Sequence, residues 1–167
     1  MRLPRYALAL SSMTALLLSA CTYESAYERQ HRLIHGTPRY LWECEGWLAR
    51  GEPDRAEHWC DVAVELSPEF ADVWAKKGLV ALARADTAKA KQHFLKALQY
   101  DPDHQEARMG LGSTYLQEGA YEQARMCFSQ VLKSDPDFLP ARYALGLALS
   151  RLGRKTEARK ELDAVLP

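Results

Sequence analysis

Apolar side chains recur at helical spacing along most of the chain, in stretches separated by short polar breaks. The clearest example lies between residues 71 and 104. Val73 to Arg84 forms one periodic stretch, Ala85-Asp86-Thr87 breaks the pattern, and Ala88 to Tyr100 forms a second stretch. The second stretch ends before Pro102, because the residue that precedes a proline avoids the α-helical region. The pattern therefore predicts two helices joined by a short turn.

This pair of stretches repeats along the chain at a fixed period of 34 residues, the step from Pro68 to Pro102 (102 − 68 = 34). Proline, alanine, glycine and bulky apolar residues each recur in a column at that period. The columns are Pro68/Pro102/Pro136, Ala56/Ala90/Ala124/Ala158, Gly78/Gly112/Gly146, Phe94/Phe128/Leu162 and Ala63/Ala97/Val131/Val165. Because all five columns share one register, we divide the chain into units 37–70, 71–104, 105–138 and a shortened 139–167.

The residue types in these columns predict how the helices pack. Gly78 on the first helix of a unit, and Ala90 and Ala97 on the second, allow two backbones to approach closely. We expect the Phe94 column to fill the space between one hairpin and the next. Gly119 falls in the turn between the two helices, as does Gly153 in the last unit, where a left-handed conformation costs glycine little. The final helix, predicted over Thr156 to Leu166, should close the stack with a polar outer face.

The repeat resembles the signature of the tetratricopeptide repeat family. Trp74 and Tyr40 stand at the aromatic fourth position, Leu111-Gly112 and Leu145-Gly146 at positions 7 and 8, and Tyr115 at position 11. The alanine, phenylalanine and proline columns match the signature as well. The resemblance covers residues 37–167 and implies an all-α fold, in which helical hairpins stack into a right-handed superhelix.

The segment 1–20 has the features of a secretory signal. Arg2 and Arg5 precede an uncharged run, Tyr6 to Leu18, that is too short to span a bilayer as a helix. The tetrad Leu18-Ser19-Ala20-Cys21 that follows resembles the lipobox of bacterial lipoproteins at every position. The resemblance implies cleavage before Cys21 and attachment of diacylglycerol and an acyl chain to that residue; the alternative is an ordinary signal peptide with a chance cysteine.

Two further expectations follow from that lipobox. A chain that carries at least two acyl groups is held firmly at a membrane. Thr22, rather than aspartate, follows the cysteine; in a Gram-negative host this implies the outer membrane, with the protein facing the periplasm. Residues 21–36 are either a lipid-bearing linker or a short helix that caps the first hairpin.

Composition and motifs argue against several classes of function. The 22 basic and 22 acidic residues balance, so the chain lacks the positive charge expected of a nucleic-acid-binding protein. No phosphate-binding loop or catalytic motif is recognisable. His31 and His35 could face together on a helix, but no third metal ligand is near them. We therefore predict no enzymatic activity, no metal and no cofactor apart from the lipid.

The family resemblance also implies a binding surface, the inner groove formed by the first helices of the units. Apolar residues occupy most of its positions. The groove residues predicted to contact a partner are Leu41, Leu48, Leu79, Leu82, Met109, Leu116, Tyr143 and Leu147. Some family members hold the terminal carboxylate of a bound peptide with Lys, Arg and Asn side chains of the groove. In this chain only Arg151 could take part in such a clamp, so we do not expect one. We expect a partner with an apolar or amphipathic segment; the alternatives are that residues 23–35 cover the groove or that two copies pair through it.

Because the signal segment predicts export, the three cysteines other than Cys21 should lie in an oxidising compartment, where disulfides persist. They are Cys44, Cys60 and Cys127. Cys44 replaces the repeated glycine at position 8 of a unit, and Cys60 replaces the bulky residue at position 24. These positions are equally far from the turn, so a Cys44–Cys60 disulfide is predicted if the Cα atoms are roughly 4.4–6.8 Å apart. The alternative is two small buried thiols. Cys127 lacks a partner and is expected to stay free or to pair between molecules.

The function that these features favour is a lipid-anchored scaffold that binds other proteins while an envelope complex assembles. In combining a lipobox with these repeats, the chain resembles the pilot lipoproteins of type IV and Flp pili, which help an outer-membrane secretin to insert and oligomerise. The alternatives are an adaptor that docks peptidoglycan enzymes and a structural subunit of a secretion machine.

Overall fold

The computed structural model describes residues 36–165, within which all the regular secondary structure is helical. The predicted signal segment 1–20, Cys21, the histidines at 31 and 35 and most of segment 21–36 lie outside the described residues. The eight helices of this part of the chain are α1 (Thr37–Ala49), α2 (Pro53–Leu66), α3 (Ala71–Ala83), α4 (Thr87–Tyr100), α5 (Gln105–Gln117), α6 (Tyr121–Ser134), α7 (Leu139–Arg151) and α8 (Lys155–Asp163).

Consecutive helices pack as four hairpins, and the hairpins stack in chain order. The second helix of each hairpin contacts the first helix of the next, so that α2 packs on α3, α4 on α5 and α6 on α7. The first helices α1, α3, α5 and α7 also contact one another in sequence. They therefore form one continuous row, which we call the inner row. The predicted all-α stack of tetratricopeptide-type hairpins is confirmed.

The helix boundaries differ slightly from those predicted by periodicity. Helix α3 begins at Ala71, two residues before the predicted start, and α4 begins at Thr87. The Asp86 side chain accepts a hydrogen bond from the Lys89 amide at 3.0 Å and so caps α4. Helix α8 ends at Asp163 rather than at Leu166. Capping and turn geometry, to which apolar periodicity is insensitive, set these ends.

The turn within each hairpin requires a left-handed residue at the fifteenth position of the unit. Gly51, Gly119 and Gly153 have φ values of 74°, 75° and 78° at this position, as the sequence predicted for the last two. In the second hairpin Ala85 has φ 59°. A β-carbon in this conformation costs roughly 1–2 kcal/mol, so this turn is held by the packing of its hairpin rather than by local preference.

In the last three units, the bulky residue at position 24 packs directly on the glycine at position 8. A Cβ on Gly78 would lie 2.4 Å from Cε1 of Phe94, and one on Gly110 in the next hairpin would lie 2.2 Å from Cζ of the same ring. Phe128 packs on Gly112 in the same manner. The prediction that this column fills the space between hairpins is therefore confirmed for Phe94, and the two flanking glycines explain how a phenyl ring fits there.

Helix α8 closes the C-terminal end of the stack. Ala158 is its buried contact point, and Leu162 packs on Gly146 of α7. Most of its charged side chains are exposed, as predicted for a terminal helix. Glu161 turns back toward α7, where its carboxylate lies 3.3 Å from the Arg142 guanidinium. Among the described helices, none has the length and apolar character needed to cross a bilayer.

Candidate functional site

The eight predicted groove residues all lie on the inner row, but they differ in exposure. Leu41, Leu79 and Leu82 are partly buried and pack against the largest core cluster. Met109, Leu116 and Leu48 are likewise partly buried, against the two smaller clusters. Tyr143 and Leu147 on α7 are 50% and 38% exposed. Apolar surface is therefore largely free at the C-terminal end of the groove, whereas the middle contributes mainly to the core.

A stripe of four exposed side chains runs along α7. Leu139, Tyr143, Leu147 and Arg151 are spaced four residues apart and so share one face of the helix. Leu139 is 51% exposed and Arg151 is also exposed. We call these four residues the α7 stripe. Leu139 was not among the predicted groove residues, because it occupies the first position of the unit, which the family pattern does not assign to the groove. Its four-residue spacing from Tyr143 is the signal in the sequence that points to it.

Charged side chains cross the middle of the inner row, where the sequence suggested a largely apolar surface. The Lys76 Nζ on α3 lies 2.8 Å from Oε1 of Glu106 on α5 and 3.3 Å from Oε1 of Glu45 on α1. Burial lowers the pKa of Lys76, but the hydrogen bond to Glu106 and the two negative charges outweigh burial and raise the pKa overall. The lysine therefore stays charged and links three hairpins.

A second polar contact joins the second and third hairpins. The His104 Nε2 lies 3.1 Å from Oδ1 of Asp72 on α3, and the His104 Nδ1 accepts a hydrogen bond from the Ala107 amide at the start of α5. The hydrogen bond to Asp72 raises the pKa of His104, against an opposing effect of burial. The same hydrogen bond lowers the pKa of Asp72, although burial opposes it. This contact fixes the junction between hairpins rather than forming a catalytic pair.

The first hairpin contains a Cys44–Cys60 disulfide, which joins α1 to α2. The two Cα atoms are 5.5 Å apart, within the range that a disulfide requires. Both cysteines are fully buried among Ala56, Val80 and neighbouring aromatic residues. The disulfide thus occupies the place that glycine and phenylalanine fill in the next two hairpins.

The third described cysteine, Cys127 on α6, is a free buried thiol. Burial raises the pKa of this thiol, against a smaller opposing effect of Arg108. A buried neutral thiol reacts poorly. Of the two fates predicted for Cys127, its position therefore favours the free thiol over a bond between molecules.

Residues 36–165 bring together no group of three or more His, Cys, Asp or Glu side chains that could hold a metal ion. The polar contacts on the inner row are paired charges between helices. What the surface offers is an apolar helix face at one end and a charged centre.

Comparison with known proteins identifies the family. The tetratricopeptide repeat family profile matches residues 81–129 and 115–167, which together make up more than half of the chain. The chain belongs to the tetratricopeptide repeat family. Solenoid repeats of this kind present an extended concave surface to their ligands, so the fold is that of a protein-interaction scaffold. No curated protein matches the sequence at a significant level.

Several solved structures share the fold. The structure described as a functional characterization of Pseudomonas aeruginosa pilF is 21% identical, with a TM-score of 0.73 over 78% of this chain and 60% of that chain. MamA from Desulfovibrio magneticus RS-1 is 21% identical, with a TM-score of 0.69 over 78% and 73% of the two chains. YrrB, a tetratricopeptide repeat protein with an unusual peptide-binding site, is 20% identical, with a TM-score of 0.66 over 78% and 68%. At these identities the similarity establishes the fold alone.

The disulfide generates a direct prediction. In the chain isolated from its own compartment, unfolded without reductant and alkylated, Cys127 should be labelled, whereas Cys44 and Cys60 should stay unlabelled until reductant is added. Reduction should lower the free energy of unfolding by about 3 kcal/mol, because closing a loop of this length restricts the unfolded chain. Peptide mapping by mass spectrometry reads the labels. Labelled Cys44 and Cys60 before reduction would show that the two thiols are free in the protein.

Proposed function

We propose that this chain is a lipid-anchored scaffold of the bacterial outer membrane, which faces the periplasm and binds an envelope protein through an apolar or amphipathic segment. The observation that supports this most directly is the α7 stripe, in which three large apolar side chains are exposed on the inner row. Exposed apolar surface on a folded domain marks an interaction site when it is contiguous.

The dimensions and charge of the stripe suit a protein segment. Leu139 and Leu147 are separated by two four-residue steps, so the apolar part extends roughly 12 Å along the helix axis. A partner helix with anchors three or four residues apart would match this length over two turns. Arg151 at the end of the stripe, for which the structure shows no ion pair among residues 36–165, suits a partner whose apolar anchors are followed by an acidic group.

We further propose that the complex is a pilus or its secretin. The support is the combination of a lipobox with tetratricopeptide repeats, together with the fold shared with pilF over 78% of this chain. An adaptor for peptidoglycan enzymes and a structural subunit of a secretion machine use the same surface, so the identity of the bound protein distinguishes them. Capture of a secretin or pilus protein favours the pilus or secretin proposal, and capture of a cell-wall hydrolase favours the adaptor for peptidoglycan enzymes.

The lipid anchor is tested at the cysteine itself. The Cys21→Ser variant should lose membrane association or accumulate unprocessed, because serine cannot form the thioether that carries diacylglycerol. Sucrose-gradient fractionation should place the wild-type protein with the outer membrane. A Cys21→Ser variant of normal mature size that still fractionates with that membrane would contradict the anchor.

The binding surface is tested on the exposed part of the stripe, where substitution does not disturb the core. The double variant Tyr143→Ser/Leu147→Ser should reduce recovery of crosslinked partners from membranes by tenfold or more, since losing a central apolar anchor typically costs about 2 kcal/mol or more. Thermal melting should stay near that of the wild type. Quantitative mass spectrometry of the captured proteins measures the effect.

A matched control uses exposed apolar residues on the second helices. Leu95 on α4 is 47% exposed and Met126 on α6 is 53% exposed, so Leu95→Ser/Met126→Ser removes comparable apolar surface outside the inner row. This control should capture partners at wild-type levels. If the stripe variant also captures them normally, or if the control loses them equally, the stripe is not the binding surface.

A further inference from the structure

The junction between the second and third hairpins is held differently from the other two junctions of the described stack. The residue that precedes the first helix is Phe70 at α3, His104 at α5 and Phe138 at α7. Neither phenyl ring can cap its helix by a hydrogen bond, whereas the His104 Nδ1 accepts one from the Ala107 amide at 3.2 Å. A titratable ring therefore stands where the neighbouring junctions have a phenyl ring.

Both ring nitrogens of His104 make a hydrogen bond, and each bond reaches a different helix. The Nε2 atom lies 3.1 Å from Oδ1 of Asp72 on α3. Because Nδ1 accepts the hydrogen bond from Ala107, it carries no proton, and the N–H of the neutral ring is on Nε2, where it donates to the Asp72 carboxylate. The neutral ring thus holds α5 through Nδ1 and α3 through Nε2.

Protonation of the ring affects these two bonds in opposite ways. A protonated histidine has an N–H on both nitrogens and cannot accept a hydrogen bond, so the bond from the Ala107 amide is lost. Ala107 is fully buried, and the first N–H groups of an α-helix have no partner within the helix. The bond to Asp72 strengthens instead, because hydrogen bonds between charged groups are stronger than those of neutral groups. The His104 side chain is only 10% exposed, which leaves the ring little room to turn into water.

The charges near the ring favour its protonated form. They come from three segments: Asp72 and Lys76 on α3, Asp101 and Asp103 in the connector 101–104, and Glu106 and Arg108 on α5. The two cations are engaged by other carboxylates, since Lys76 lies 2.8 Å from Glu106 and Arg108 lies 3.9 Å from Asp103. The hydrogen bond to Asp72 raises the pKa of His104, although burial opposes it.

We propose that His104 is a proton switch at the junction between the second and third hairpins. One proton taken up from solvent breaks the hydrogen bond that caps α5 and converts the hydrogen bond to Asp72 into an ion pair with α3. Mild acid therefore loosens the first turn of α5 and draws the ring toward α3.

The switch has consequences for stability and for the groove. Because the pKa of His104 is raised in the folded chain, the ion pair stabilises the fold below about pH 6.5, the usual value for histidine. This contribution is lost as the pH rises through the raised value. Helix α5 also carries the groove residues Met109 and Leu116, so the proton acts on a helix of the inner row. An effect on partner binding rests on the proposed function, whereas the switch itself does not.

The test is a pH titration of the full, isotope-labelled chain in detergent micelles, followed by nuclear magnetic resonance. The His104 midpoint should lie above that of His93, because burial lowers the pKa of His93. The chemical shift of the Ala107 amide should follow the His104 midpoint. The protection of this amide against hydrogen exchange, corrected for the intrinsic effect of pH, should fall roughly fivefold on protonation, which corresponds to the ~1 kcal/mol typical of a lost cap.

Two substitutions separate the charge of Asp72 from the ring of His104. Asp72→Asn keeps an oxygen that accepts a hydrogen bond but removes the negative charge, so the His104 midpoint should fall while the Ala107 amide still follows it. His104→Phe reproduces the residue type of the other two junctions, and the Ala107 amide should then stay unchanged between about pH 5 and 8, where histidine changes charge. The matched control is His58→Phe at an exposed histidine on α2, which should leave the Ala107 titration as in the wild type.

The possible outcomes separate the switch from the proposed function. An Ala107 amide that does not change with the His104 titration would overturn the switch, and so would a His104 midpoint at or below that of His93, or a response that survives His104→Phe. The titration requires neither a membrane nor a partner. If the α7 stripe captures no partner but the Ala107 amide follows His104, the proposed function fails while the switch stands; capture without that response overturns the switch alone.

Discussion

The close contact between position 8 of the first helix and position 24 of the second is the constraint on which the stack depends. One partner must be very small so that the other can fill the space between two backbones, because protein interiors tolerate neither voids nor overlap. Gly112 with Phe128 and Gly146 with Leu162 meet this condition. In the first hairpin Cys44 and Cys60 meet it through a covalent bond instead.

This contact determines which surfaces are left for binding. The second helices are occupied on two sides, by their own hairpin and by the next, whereas the first helices keep one face toward the inside of the stack. Lys76 links three hairpins there through Glu45 and Glu106, so the centre of the inner row carries paired charges. Of the groove residues predicted from the sequence, the two most exposed, Tyr143 and Leu147, lie near the C-terminal end of the described stack.

The sequence predicted the fold well because one fixed period repeats the same local pattern four times and the columns average out individual departures. It predicted the position of Cys44 opposite Cys60 for the same reason. It did not predict how far each groove residue would be buried. Leu79 and Leu147 occupy the same position of their units, but Leu79 packs on the core whereas Leu147 is exposed. Nor did it reveal the Lys76 ion pairs, because they join residues that are far apart in the chain and lie in different units.

The most direct measurement transplants the disulfide to another hairpin. If positions 8 and 24 are the same contact in every unit, Gly146→Cys/Leu162→Cys should form a disulfide on oxidation, since a Cβ on Gly146 would lie 2.7 Å from Cγ of Leu162. The control pair Leu147→Cys/Leu162→Cys closes a loop of nearly the same length from a different face of α7 and should remain reduced. Alkylation and peptide mapping distinguish the two. Free thiols at positions 146 and 162, or equal bonding in the control, would contradict the account.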